Sequence, residues 1–284
     1  MDITRVVVGV DGSASADTAL AVAVDQAREL GAGLHIVSAM ELPPSLPAYS
    51  GAYREAAFEV VERGAVRAAA ALGDSRVDTQ VVSGSPATAL LGELHRDDLL
   101  VVGSHGHRPV ARMLLGSTST TVAAHAPCPV LVVRGPRVRT LGPVVVGVDG
   151  STTSVEAVRL AAAVADRESA TLRAVLALSP VTDALGFVSG PDDPQVSEAQ
   201  AVLAEAVAGI AVDHPDLAVD RVVAQTHPVE ALLRHARGAR LVVVGSRGLG
   251  GLEAMLLGSV SREVLHHSSC PVLVVRSARD RQPA

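Results

Sequence analysis

The chain has no lysine and no tryptophan, and its 284 residues include only two tyrosines, two phenylalanines and two cysteines. All 24 basic residues are therefore arginines, which removes a Walker-type phosphate lysine, a Schiff-base lysine and a lysine general base together. With Tyr49, Tyr53, Phe58 and Phe187 as the only aromatics, the stacking platforms used by single-strand binders are missing. The formal net charge of -6 leaves no basic field to gather phosphate backbones, so nucleic acid is not an expected partner. No apolar run approaches the roughly 18 to 20 residues needed to span a bilayer. Met1 to Arg5 also lacks the basic-then-apolar order of a secretory signal. The expectation is a cytoplasmic protein without membrane association.

Cys128 and Cys270 stand at equivalent places in two Cys-Pro-Val-Leu-Val-Val-Arg runs, without Cys-x-x-Cys or Cys/His spacing. They read as small buried hydrophobes rather than disulfide partners, metal ligands or nucleophiles.

What the chain does contain is a repeat. Val6-Val-Val-Gly-Val-Asp-Gly-Ser13 recurs unchanged as Val144 to Ser151, and Leu100 to Arg134 matches Val242 to Arg276 at 20 of 35 positions. The chain is thus a duplicated domain of about 140 residues, the size of one compact unit. The expected domains are 1–138 and 139–284, joined through the Gly/Pro-bounded stretch Gly135 to Pro143.

Arg5 to Val10 is too continuously apolar for a half-exposed strand and reads as a buried parallel one. Asp11-Gly-Ser ends it. Ser13 or Ser15 can cap a helix that runs to about Leu30 and stops at Gly31 and Gly33. Leu34 to Met40 reads as strand two, Glu41 to Gly51 as a proline-rich loop, Tyr53 to Leu72 as a helix, and Val77 to Val82 as strand three. Pro86 opens the next helix. Strand four follows Asp97 or Asp98, a helix spans about Ser117 to His125, and Val130 to Arg134 is strand five. In the second copy, helices are expected from about Ser154 and Ser197 around strand Leu172 to Leu178, with a longer loop from Ser179 to Gln195. This alternation implies an α/β fold: two tandem five-stranded parallel sheets with helices on both faces.

Open parallel sheets bind ligands outside the carboxyl ends of their strands, where the winding reverses. With strand one central, Asp11 and Gly103 converge on that crevice. Gly103-Ser104-His105-Gly106, nine residues, then Gly116-Ser117 is a strand-to-helix junction, repeated as Gly245-Ser246-Arg247-Gly248, nine residues, then Gly258-Ser259. The expectation is that Gly103 and Gly106 take positive φ and admit a ligand closely. Ser117, Thr118 and Ser119, and likewise Ser259, Val260 and Ser261, then offer backbone N–H groups and hydroxyls at a helix N-terminus, where an anion is favoured. Asp11 and Asp149 are candidates for a hydrogen bond to base or ribose, or for a share of a Mg²⁺ that bridges to phosphate. They are also ordinary turn residues or helix caps. His105, His107, Arg108 and Arg112 lie in the first loop, where the second copy has Arg247, Leu249, Gly250 and Ala254. Two related sites of unequal affinity are expected.

Each copy resembles a universal stress protein domain, whose ATP-binding members carry G-x2-G-x9-G-[ST] after strand four and an aspartate after strand one. The matching positions are Asp11, Gly103, Gly106, Gly116 and Ser117, then Asp149, Gly245, Gly248, Gly258 and Ser259. The whole is similar to the tandem-domain actinobacterial members. The resemblance implies a Rossmann-like fold with strand order 3-2-1-4-5, of the adenine nucleotide alpha hydrolase type, and ATP with Mg²⁺ as ligand. It places Gly9 and Gly147 near the nucleotide and Ser38 and Leu176 near adenine. It also implies intramolecular pairing of the domains through their fifth strands, which would cover apolar edges. A further homodimer and an unidentified protein partner stay open.

No lysine, no defensible Ser/His/Asp pattern and no arginine common to both loops accompanies the glycines. The leading expectation is a nucleotide-dependent regulatory or stress-response protein with at most weak ATPase activity. A slow ATP hydrolase or phosphotransferase and a ligand-free dimerisation module are the alternatives.

Overall fold

The computed structural model describes residues 3–41, 50–106, 115–135, 141–179, 194–249 and 256–276. The chain divides after residue 138 into two compact units. In the first, β1 (Arg5–Gly9) holds Val6, Val7 and Val8 wholly out of solvent. Such a run can only sit in a strand covered on both faces.

Helix α1 (Ala14–Leu30) begins where Ser13, in extended conformation, accepts the Ala16 N–H on its hydroxyl. It ends where Gly31 takes the left-handed φ of 66° and returns its N–H to the Ala27 and Arg28 carbonyls. Ser13 is therefore the cap, and Ser15 lies inside the first turn. Ala16, Ala19, Leu20, Ala23, Val24 and Ala27 form the buried stripe.

The unit continues with β2 (Gly33–Met40), α2 (Ser50–Leu72), a 3-10 turn at Asp74–Arg76, β3 (Val77–Ser83), α3 (Pro86–Glu93), β4 (Asp98–Gly103), α4 (Ser117–His125) and β5 (Val130–Val133). Its strands are parallel in the order β3-β2-β1-β4-β5. Helix α1 packs on α2, and α3 on α4, so the sheet is covered on both faces. Ser85 caps α3 and Pro86 sits in its first turn, where its missing N–H costs nothing.

At the amino end of the sheet, Arg5 grips Asp98 with two bonds: Nε to Oδ1 at 2.9 Å and a terminal nitrogen to Oδ2 at 2.7 Å. The Asp98 carboxylate, 3% exposed, also accepts the His95 N–H at 2.6 Å. A carboxylate this buried persists only because its acceptor sites are filled. The same bond to Asp98 raises the pKa of the Arg5 guanidinium.

The second unit runs β6 (Val144–Val148), α5 (Thr152–Arg167), β7 (Leu172–Ala177), α6 (Pro194–Val207), α7 (Ile210–Asp213), β8 (Val219–Ala224), α8 (Pro228–Ala236), β9 (Leu241–Gly245), α9 (Ser259–His267) and β10 (Val272–Val275). Its parallel order is β8-β7-β6-β9-β10, the same winding as the first.

Helix α5 starts at Thr152, earlier than expected, because Ser151 caps it through the Ser154 N–H just as Ser13 caps α1. Helix α6 likewise starts at Pro194 rather than near Ser197, proline being suited to a first turn. The 3-10 turn and α7 were not expected. Most of both proline-rich loops, 42–49 and 180–193, lies outside the described residues. Cys128 and Cys270 are buried, as expected of small core hydrophobes. No described helix is long and apolar enough to cross a membrane.

Candidate functional site

In each unit the winding reverses beside the central strand, and register fixes what meets there. Val8 pairs with Val101, and Val146 with Val243. Three residues past Val8 comes Asp11, and two past Val101 comes Gly103. Asp149 and Gly245 stand in the same relation to Val146 and Val243. The two repeated sequence stretches therefore meet at the carboxyl end of one strand pair in each unit, where this topology receives ligands.

A cavity opens at both places. In the second unit it measures about 420 Å³ and has a polar and an apolar end. Gly245, Arg247, Gly248, Gly258, Ser259, Val260 and Ser261 form the polar end with Asp149, and Val148, Val175, Ala177, Pro228, Leu232 and Val244 form the apolar one. In the first unit the matching cavity is about 110 Å³, lined by Gly9, Asp11, Gly103, His105, Gly106, Thr118 and Ser119 against Val10, Val37, Ala39, Pro86, Leu90 and Val102. Every residue lining the first cavity has its repeat equivalent in the second, with Ala16, His105 and Thr118 standing where Ser154, Arg247 and Val260 do; Leu249, Gly258 and Ser259 line the second cavity alone.

The polar end is a helix start that no side chain caps. Gly116 and Gly258 are the N-caps of α4 and α9, both extended and both lacking a side-chain cap bond. The first N–H groups of such a helix have no intrahelical acceptor, and its dipole presents about half a positive charge there. The Gly116 N–H bonds the Ser104 carbonyl at 2.8 Å and the Gly258 N–H bonds the Ser246 carbonyl at 2.7 Å, folding each helix start back onto its strand end. The hydroxyls of Ser119 and Ser261 donate to the Gly103 and Gly245 carbonyls at 2.6 and 2.5 Å. These two side chains thus brace the junction, which leaves backbone N–H groups as its principal donors.

The glycines work differently from the sequence expectation. Gly103 and Gly106 do not take positive φ, nor do Gly245 and Gly248; the left-handed turns are Gly12 and Gly150, both at φ 84°, directly after the aspartates. Gly103 is a glycine because a Cβ there would lie 2.5 Å from Ser15 Oγ and 2.8 Å from the Ser15 carbonyl oxygen. Gly9 and Gly147 admit the ends of Leu90 and Leu232, at 2.9 and 3.2 Å from a built Cβ. They let α3 and α8 close over the apolar end of each cavity.

Asp11 accepts the Ser13 N–H at 2.9 Å on Oδ1, and Asp149 accepts the Ser151 N–H at 3.0 Å. Asp149 Oδ2 also accepts the Leu249 N–H at 3.1 Å, reaching across to the glycine loop. His105 is exposed, with Nδ1 2.9 Å from Ser104 Oγ. Among the described residues no three His, Cys, Asp or Glu side chains cluster as a metal site.

Several expected residues stand elsewhere. Ser38 and Leu176 are buried and do not line the cavities; their strand neighbours Val37 and Ala39, and Val175 and Ala177, do. Alternate residues of a strand face opposite sides, so Ser38 and Leu176 point to the other face of the sheet. Ser104 and Ser246 are buried in the strand-end turn, and Gly116 and Ser117 fall outside the lining of the first cavity. His107, Arg108 and Arg112 lie outside the described residues. Sequence reasoning missed Pro86, Leu90, Pro228 and Leu232 as cavity walls; Pro86 read only as a helix start, although Pro228 stands at the same repeat position.

Two doubly wound α/β domains in tandem, each with a cleft at its switch point, define the class of protein. The universal stress protein family model matches residues 2–134 and again 141–276, and the chain belongs to the universal stress protein family. It is similar to universal stress protein Rv2005c of Mycobacterium tuberculosis, 36% identical over 288 residues that cover 96% of this chain and 97% of that protein. Rv2623 of the same organism is 33% identical over 293 residues, covering 96% of each. Among solved structures, a universal stress protein from Archaeoglobus fulgidus superposes with a TM-score of 0.72 at 20% identity, covering 97% of this chain and 99% of that one. That likeness supports the fold.

Proposed function

We propose that each unit binds an adenine nucleotide in its switch-point cleft, ATP with Mg²⁺ in the first instance, and that occupancy serves a regulatory, stress-response role in the cytoplasm. The observation that carries this reading is the pairing, in both units, of an uncapped helix N-terminus with an apolar slot in one cleft. Phosphates suit the first and a purine suits the second. The second cavity, at about 420 Å³, lies within the ordinary range for small-molecule sites. Val175, Ala177, Pro228 and Leu232 would face the base, and the N–H groups of Ser259, Val260 and Ser261 the phosphates.

The residues fit Mg²⁺ only as a phosphate-borne ion. Among the described residues each cleft is lined by one carboxylate, Asp11 or Asp149, which suits an ion that keeps most of its water and binds through the nucleotide. When bound, such an ion would neutralise phosphate charge. The matched carboxylates, Asp11 and Asp149, already accept backbone N–H groups of their own turns, so a dedicated hydrolase that uses them as general base is the weaker reading. Identifying the small molecule released on denaturing the purified protein tests the ligand class, and adenine nucleotide is the expected result. Steady-state turnover tests the alternative: ATP hydrolysis at or above roughly 1 s⁻¹ would favour an enzyme.

A further inference from the structure

The second glycine of each loop has an unexpected neighbour. A Cβ built on Gly106 would lie 2.6 Å from Asp11 Oδ2, and one on Gly248 would overlap Asp149 Oδ2. Neither glycine takes positive φ, so backbone conformation does not require glycine at either place. The aspartate and the glycine are about a hundred residues apart in sequence, yet the same encounter occurs in both units. In the second, the carboxylate that fills the space beside Gly248 accepts the N–H of the next residue, Leu249, at 3.1 Å, while its other oxygen accepts the Ser151 N–H at 3.0 Å.

We infer that Asp149 is a positioning residue: its carboxylate ties the glycine loop to the end of β6, and Gly248 is a glycine to leave room for that carboxylate. Asp11 and Gly106 form the corresponding pair in the first unit. The left-handed turn at Gly150 lets the chain reverse directly after Asp149, so that Oδ1 reaches the Ser151 N–H while Oδ2 points at the loop. A carboxylate accepting two backbone N–H groups is a stronger tether than a neutral side chain would be. Such a tether would hold the loop through the protein's own contacts, which lowers the ordering cost that binding would otherwise carry. This deepens the nucleotide reading and rests on it for its purpose, while the tether itself is made of protein groups alone.

The test is a double-mutant cycle on the full chain with two readouts. In ligand-free protein, amide exchange at Leu249 measured by NMR should accelerate about tenfold in Asp149→Ala, the loss of one charge-assisted bond, and as much in Gly248→Ala, whose methyl displaces the carboxylate. In the Asp149→Ala background, adding Gly248→Ala should change Leu249 exchange less than about twofold, because the clash has gone. ATP affinity should show the same non-additivity: Gly248→Ala weakens it in the wild-type background and hardly at all without Asp149. Asp149→Asn, which retains a single acceptor oxygen, should lie between wild type and Asp149→Ala and covers the case in which the alanine variant does not fold. Unchanged Leu249 exchange in Asp149→Asn and Asp149→Ala, or strict additivity of the two substitutions, would overturn the tether. Absence of ATP binding with the exchange pattern intact would instead count against the nucleotide reading alone.

Discussion

Gly103→Ala separates a packing glycine from a ligand-facing one. The new methyl carbon would lie 2.5 Å from Ser15 Oγ, 2.8 Å from the Ser15 carbonyl oxygen and 2.9 Å from its carbonyl carbon. The hydroxyl can rotate away, but the carbonyl belongs to the first turn of α1 and moves only with the helix. Relief to an ordinary carbon–oxygen contact requires a shift of roughly half an ångström in a close-packed interface, an overpacking cost of about 1–3 kcal/mol. For a unit of this size, with an unfolding entropy of about 2 cal/mol/K per residue, that lowers the melting temperature by roughly 3–10 °C. Gly245→Ala is the comparison: its nearest neighbour is the Thr153 methyl at 2.9 Å, with the Arg247 carbonyl oxygen at 3.2 Å. A side-chain methyl gives way more easily than a helix backbone, so the second substitution should cost less. Thermal unfolding followed by circular dichroism and calorimetry reads both. An unchanged Gly103→Ala melting temperature, or a larger loss for Gly245→Ala, would refute the assignment of Gly103 to the packing of α1 on β4.

Three further outcomes are expected. Arg5→Ala strands the Asp98 carboxylate, which is 3% exposed, and should cost about 3–5 kcal/mol in urea denaturation, while the Arg5→Ala/Asp98→Ala double variant should be less destabilised than the single. A loss below about 1 kcal/mol would show that the pair is dispensable. The pKa of His235 is lowered by burial first and by Arg173 and Arg234 next, so the unfolded chain takes up that proton before the folded one does. Its contribution to stability is present above the ordinary imidazole value near pH 6.5 and is lost as pH falls through the folded value. His235→Gln should flatten the fall in urea midpoint on acidification below about pH 6.5, and identical slopes would contradict the assignment. Removing Mg²⁺ with a chelator should weaken ATP binding but leave the melting temperature of the ligand-free protein unchanged; a melting shift without nucleotide would reveal a metal site the described residues do not form.

Much of this fold was legible because buried parallel strands are unusually explicit. Val6 to Val8 and Leu99 to Val102 are too apolar for any exposed strand, and the duplication offset of 138 residues between Val6 and Val144 exposes the domain plan. One cap was legible too: Ser13 is one of two serines available to the first helix and is the one that accepts the Ala16 N–H, whereas its repeat equivalent Ser151 caps a helix expected to start only near Ser154. The same burial concealed the parity of β2. A strand covered on both faces has no polar alternation to show which residues look toward the cleft, and Ser38 was placed where Val37 and Ala39 stand. The purpose of the glycines was hidden for another reason. Gly103, Gly106 and Gly9 are glycines because of Ser15, Asp11 and Leu90, contacts between distant segments that no local pattern encodes. The apolar wall supplied by Pro86, Leu90, Pro228 and Leu232 depends on which face α3 and α8 turn to the sheet. That too is settled by packing.

The central claim, one adenine nucleotide in each switch-point cleft, is tested most directly by counting. Equilibrium dialysis with ATP and Mg²⁺ should give two equivalents bound per wild-type chain. Gly116→Glu, which sets a carboxylate against the α4 N-terminus, and Gly258→Glu, which does the same at α9, should leave one each. The double variant should leave none while retaining the circular dichroism spectrum of the wild type. Two equivalents retained by the double variant, or no saturable binding by the wild type, would contradict the claim.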